Sequence, residues 1–225
     1  MVVFLTDHLQ AKGAKIISLK PEVNVPAKPI IRSLNSLLHD IYVRFIALRD
    51  KDFVKYYNVF ENIFFKLHEQ MKEADPYYKQ YSSHVLFAGS HYDNLRINKP
   101  DEFDMDIVIG LPVNPDENPQ NPAKSDVVIE DIAPGFVRLK MGKQFQNLPN
   151  RDQGEDWEIN QTACKWLDDA NYLLRSQFMY WFQSVVDKAM NLFDQNEHGE
   201  PYMDVEGTKY NLRLSASGPA YTLII

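Results

Sequence analysis

Apolar residues recur at steps of three and four from residue 31 onward, at Ile31, Leu34, Leu37, Leu38, Ile41, Phe45 and Leu48. That spacing predicts a helix with one apolar stripe. A second run follows at Phe53, Tyr56, Tyr57, Phe60, Phe64, Leu67 and Met71. Asp50 or Asp52 is placed to cap its start, and Asp75-Pro76 stops it. The two runs make either one long helix with a break or two stacked helices. The aromatic positions keep the spacing of a buried helix face, so they read as core rather than as a base-stacking platform.

The period then changes from helix to strand. His84-Val85-Leu86-Phe87-Ala88 is a short apolar run that ends on Gly89-Ser90, and Phe103 to Leu111 alternates. Residues 112–122 hold four prolines among Asn, Asp and Glu, a surface loop. Val127–Ile129 and Phe136–Met141 read as strands parted by a Pro134-Gly135 turn, and 142–156 as a polar loop. Trp166 to Phe193 reads as one amphipathic helix carrying Leu173, Leu174, Phe178, Trp181, Phe182, Val185, Val186 and Ala189 on a broad apolar face. After a break at Gly199-Glu200-Pro201, Tyr210–Leu214 and Tyr221–Ile225 read as strands around a Ser217-Gly218-Pro219 turn. Residues 1–29, with three prolines and weak periodicity, form a loosely ordered lead-in. The expected class is α+β, with one domain over residues 30–225. The last residues, Thr-Leu-Ile-Ile, fall in mid-strand by pattern, so the chain is expected to be a fragment of a longer protein.

Composition narrows this picture. A hydrophobic share of 44% is that of a globular chain able to bury a core. The first residues break their apolar run with Asp7, unlike a secretory signal, and no segment is long and uncharged enough to span a bilayer. The single Cys164 excludes an internal disulfide and a zinc site built on several thiolates. A reduced intracellular protein is expected, cytoplasmic or also nuclear. Net charge is −7, but it is uneven: residues 1–80 carry twelve Lys and Arg against nine acids, and the rest twelve against twenty-two. The mildly basic first third suits a polyanion, although an uneven solvated surface explains the same counts.

The candidate chemistry lies between Gly89 and Asp106. Backbone amides of a Gly89-Ser90 turn, with the Ser90 hydroxyl, suit a phosphate approached closely. Glu102 comes twelve positions past Ser90, then Asp104 and Asp106. On a strand all three carboxylates share one face, with Phe103, Met105 and Ile107 on the other. Clustered like charge calls for a cation, and oxygen ligands point to Mg²⁺ or Mn²⁺. Two registers fit the spacing from Ser90, Glu102 with Asp104 or Asp104 with Asp106.

The run from Gly89-Ser90 through Asp101-Glu102-Phe103-Asp104 resembles the activation-loop and metal-strand region of cyclic GMP-AMP synthase and its animal receptor relatives, the Mab family of nucleotidyltransferases. The N-terminal helical region is similar to the family's spine helix. Ser217-Gly218-Pro219-Ala220-Tyr221-Thr222-Leu223 resembles the family's Gly-x-Pro-Ala-x-Thr-Leu. The resemblance implies a nucleotidyltransferase-type mixed β-sheet with a long spine helix and packing helices. It implies Glu102 and Asp104 as catalytic metal ligands, Asp106 in reserve, and Gly89 and Ser90 on the triphosphate. The reaction it implies is two-metal synthesis of a cyclic dinucleotide from ATP and GTP, used in innate immune sensing. Activation would come from double-stranded RNA, or less readily DNA, on the N-terminal helical side, with a dimer forming on the ligand. A third metal carboxylate and a second helical lobe are expected beyond Ile225. Asp126, Asp131 and Asp204 match no part of the motif. The absence of a zinc ribbon shifts the expected activator from DNA to RNA. A non-catalytic Mab-type scaffold and a polynucleotide nucleotidyltransferase share parts of the same signature.

Overall fold

The computed structural model describes residues 2–8, 33–42, 50–88, 103–113, 126–217 and 220–225. Within them the chain is α+β, as the alternation of periods requires. Helix α1 (Leu34–Ile41) starts on Ser33, whose hydroxyl accepts from the Ser36 amide. Helix α2 (Asp50–Ala74) runs 25 residues, about 37 Å at the helical rise. Asp75 ends it and caps the short α3 (Pro76–Tyr81), accepting from the Tyr78 amide with Pro76 in the first turn.

Five strands form the principal sheet: β1 (Val2–His8), β2 (Ser82–Ala88), β3 (Asp104–Ile109), β9 (Arg213–Ser217) and β10 (Ala220–Ile224). Their order is β2-β3-β1-β10-β9, with β1 parallel to β10 and the other pairs antiparallel. Val2–His8 therefore departs from the expected loose lead-in: its backbone is a central strand, paired on both sides. The lead-in's remaining residues, 9–29, lie outside the described residues. A hairpin of β4 (Val127–Ala133) and β5 (Phe136–Met141) turns at Gly135, whose φ of 80° is one that glycine adopts without strain. A small sheet joins β6 (Asp194–Gln195), β7 (Pro201–Val205) and β8 (Thr208–Asn211).

Two further expectations give way. The polar stretch 142–156 holds short helices α4 (Lys143–Gln146) and α5 (Leu148–Arg151) and opens α6 (Glu155–Cys164). The single helix expected from Trp166 to Phe193 is instead α7 (Arg175–Met190), preceded by an irregular turn. Asp168 makes that turn, because its carboxylate accepts from the Ala170 and Tyr172 amides, and Asn171 takes the left-handed conformation. Trp166 and Leu173 fit the apolar pattern because both pack on the core, not because they share a helix.

One face of the principal sheet supplies the core. Met105, Ile107, Tyr221 and Leu223 are buried, with α2 and α7 packed together over them. Phe103 stacks on Phe60 of α2 at 4.5 Å, and Tyr221 meets Phe182 of α7 at 5.3 Å. From Tyr56 to Phe64 the aromatic stripe of α2 is core, as its spacing predicts.

Candidate functional site

Strand β3 alternates strictly. Met105, Ile107 and Ile109 enter the core, while Asp104, Asp106 and Val108 sit half-buried on the opposite face. Burying each large apolar side chain contributes roughly 1.5–3 kcal/mol. The core face thus fixes which way the carboxylates point, because a one-residue slip would bury Asp104 and Asp106.

The two acids lie in an unfavourable setting. Oδ1 of Asp106 is buried and has no hydrogen-bond partner among the described residues. Burial, and then the neighbouring Asp104 charge, push the Asp106 carboxyl above the usual aspartate range. An orphaned carboxylate oxygen beside a second carboxylate fits a hard divalent cation, which would satisfy the oxygen and neutralise the pair. Among the described residues no group of three or more His, Cys, Asp or Glu converges on a metal position.

The neighbouring strands add to this face. Ala88, the last residue of β2, pairs with Asp104, and Leu86 pairs with Asp106. Gly89 and Ser90 follow Ala88 directly in the sequence, so the described chain leaves β2 beside Asp104. Gly89, Ser90 and Glu102 themselves lie outside the described residues. On the far side, Thr222 of β10 pairs with Ser215 of β9, and Ile224 with Arg213. Through β1 the backbone register runs Asp104, Thr6, Thr222, Ser215 across the sheet. The structure therefore brings Asp104 and Asp106 together and adds a hydroxyl-bearing row that sequence reasoning missed. The alternation of Arg213-Leu214-Ser215 and Tyr221-Thr222-Leu223 marks these as strand residues but carries no sign of which strand they oppose.

Asp131 and Asp204, which match no part of the motif, lie on other sheets. Asp204 accepts from the Gly207 amide in the β7–β8 turn, and Asp131 is exposed on β4. Cys164 is a half-buried free thiol whose pKa burial raises, which makes it a poor nucleophile. No described helix is long and apolar enough to cross a membrane.

The sequence signature of the Mab-21 protein nucleotidyltransferase domain matches residues 91–225. The chain is 31% identical over 193 residues to a cyclic GMP-AMP synthase-like receptor of Ctenocephalides felis, covering 85% of this chain and 42% of that protein. A relative of the same name from Tribolium castaneum is 30% identical over 190 residues, or 84% of this chain and 45% of the relative. One from Microplitis demolitor is 27% identical over 184 residues, covering 81% and 32%. The chain thus spans less than half the length of these relatives.

Proposed function

The chain belongs to the Mab-21 nucleotidyltransferase family, and from that premise we propose that it forms the catalytic lobe of an enzyme joining ATP and GTP into a cyclic dinucleotide of the cyclic GMP-AMP type. The observation that carries this reading is the Asp104–Asp106 pair, with its orphaned oxygen, beside the strand end that leads into Gly89-Ser90. The names of the relatives, cyclic GMP-AMP synthase-like receptors, support the choice of product class.

In this reading Asp104 is common to both registers, with Glu102 or Asp106 as its companion, and the carboxylates hold Mg²⁺ or Mn²⁺. Bound there, divalent cations supply charge neutralisation for the triphosphate and for the leaving pyrophosphate. Gly89 and Ser90 hold the phosphates through backbone amides and the hydroxyl. The lobe aligns a ribose hydroxyl in line with the α-phosphorus. The new oxygen–phosphorus bond forms as the bond to pyrophosphate breaks, and the hydroxyl proton passes to solvent water. A second such step closes the ring. The positively biased first third meets the activating duplex through phosphates and duplex shape, with RNA favoured. The setting is innate immune sensing inside the cell.

Incubation of the full-length protein with labelled ATP and GTP, Mg²⁺ or Mn²⁺, and a panel of duplex RNA and DNA tests the reading. A cyclic dinucleotide supports it. Nucleotide-extended RNA replaces it with polynucleotide synthesis, and no product under any duplex replaces it with a scaffold. Asp104→Asn is expected to abolish product, and comparing Glu102→Gln with Asp106→Asn identifies the second ligand.

A further inference from the structure

Strand β2 gives its own register little definition. Val85-Leu86-Phe87-Ala88 is continuously apolar and β2 is a sheet edge, so no alternation tells it which residue to oppose to Asp104. Its pairing with β3 is irregular at the outset, with a shift between Ser82 and His84. Yet that register decides which residues of β2 stand beside Asp104 and Asp106. The shared end of the two strands is held by an unusual set of bonds. The Gly110 amide, at the exit of β3, donates to the Tyr81 carbonyl at 2.8 Å, and the Gly110 carbonyl accepts from the Tyr77 hydroxyl at 3.0 Å. The Tyr81 hydroxyl donates to Asn160 Oδ1 at 2.6 Å, and Asn160 Nδ2 donates to Asp152 Oδ2 at 2.7 Å. Asp152 Oδ1 accepts from Arg151 Nε at 2.7 Å, and Arg151 Nη2 donates to the Pro112 carbonyl at 3.0 Å. The circuit closes on the chain two residues from where it began.

We propose that this closed circuit, Gly110–Tyr81–Asn160–Asp152–Arg151–Pro112, is a register lock, and that Tyr81, Asn160, Asp152 and Arg151 are positioning residues for the candidate site. Tyr81 is the last residue before β2, and Gly110 the first after β3, so fixing one against the other fixes both strands. Asn160 is 4% exposed and the Asp152 side chain 10%, so a missing member leaves a neighbour buried without a partner. That cost makes the lock all-or-none rather than gradual. Core burial selects the face of β3, whereas the circuit selects what β2 places beside it. The positioning role rests on the nucleotidyltransferase reading above; the lock itself does not.

Two measurements separate these claims. His84 and Val108 are register partners, so the His84→Cys/Val108→Cys protein forms a cross-strand disulfide when the register is native. Adding Tyr81→Phe or Arg151→Gln is expected to slow that crosslink. In proteins without the cysteine pair, the same single changes are expected to weaken Mn²⁺·ATP binding by about tenfold, the scale of coupling within one hydrogen-bond network. Val186→Ala, in the core of α7 and outside the circuit, is expected to lower the melting temperature but leave both readouts unchanged. Native crosslinking in both circuit variants overturns the lock. Slowed crosslinking with unchanged Mn²⁺·ATP affinity overturns the positioning role. If the unaltered protein binds no Mn²⁺·ATP, the functional reading fails and the positioning role with it, while the crosslink still decides the lock.

Discussion

Asp106→Asn is expected to stabilise the metal-free protein, an unusual outcome for a change in a functional strand. Asp104 and Asp106 are two residues apart on β3, about 6.7 Å between Cα atoms at the strand rise. At that separation two unit charges repel by about 0.6 kcal/mol in bulk water and about 2.5 kcal/mol at an effective dielectric of 20. The half-buried position falls between these limits, so a gain of about 1 kcal/mol is expected, or about 2–4 °C in Tm. The sign with pH follows from the raised carboxyl pKa. The folded state holds the proton more tightly than the unfolded state, so the wild type loses stability as pH rises from the ordinary value of 3.8 through the raised folded value. The difference between variant and wild type is therefore absent at about pH 4 and below, and grows as pH rises through the raised folded value. Urea denaturation of both proteins across that range, without divalent ions, measures it. Added Mn²⁺ is expected to narrow or reverse the gap, because a ligand that binds only the folded state stabilises it. A variant less stable than wild type at neutral pH, or a gap independent of pH, refutes the reasoning.

Other consequences are open to measurement. Phe103, 2% exposed and stacked on Phe60, ties β3 to α2, so Phe103→Ala is expected to cost about 3–5 kcal/mol by chemical denaturation. His68 is buried, with Nδ1 hydrogen-bonded to the Tyr78 hydroxyl at 2.7 Å, and burial lowers its pKa to about 4. The unfolded state takes up that proton first, so stability falls as pH drops from 6.5 toward 4, by up to about 1.4 kcal/mol per pH unit. His68→Gln is expected to flatten that slope; the slope is common to wild type and Asp106→Asn and cancels in their comparison. Lys55 and Lys66 are exposed on α2, and their joint reversal to Glu is expected to weaken duplex RNA binding and to reduce the salt slope by about 1 for each phosphate no longer neutralised. Unchanged affinity in a salt titration removes α2 from the binding surface.

Much of this protein is legible without coordinates wherever a strict period has a single cause. The three-four spacing from Tyr56 to Met71 puts one face of α2 in the core, and the two-residue alternation of Phe103–Ile109 makes β3. The acids sit on one face of that strand for the same reason. Legibility fails where tertiary contacts imitate a period. Trp166 and Leu173 look like members of the α7 stripe, yet they reach the core from a turn made by Asp168 and Asn171. Short helices in 142–156 escape notice because Phe145 and Leu148, isolated in polar sequence, have no period to reveal them.

The sequence by itself thus determined the α+β class, the direction in which Asp104 and Asp106 point, and the family likeness of the strand that bears them. These follow from interactions between near neighbours in the chain, whose periods are written locally. Tertiary structure alone decided that Val2–His8 enters the sheet centre and that Thr222 and Ser215 share a row with Asp104. It decided, too, that Asp106 carries a buried oxygen with no hydrogen-bond partner among the described residues. It also decided that Arg151 reaches Pro112 from 39 residues away and Asn160 meets Tyr81 from 79, closing a circuit at the end of β3. Burial and pairing across such distances depend on how separate elements pack, and no local pattern records them.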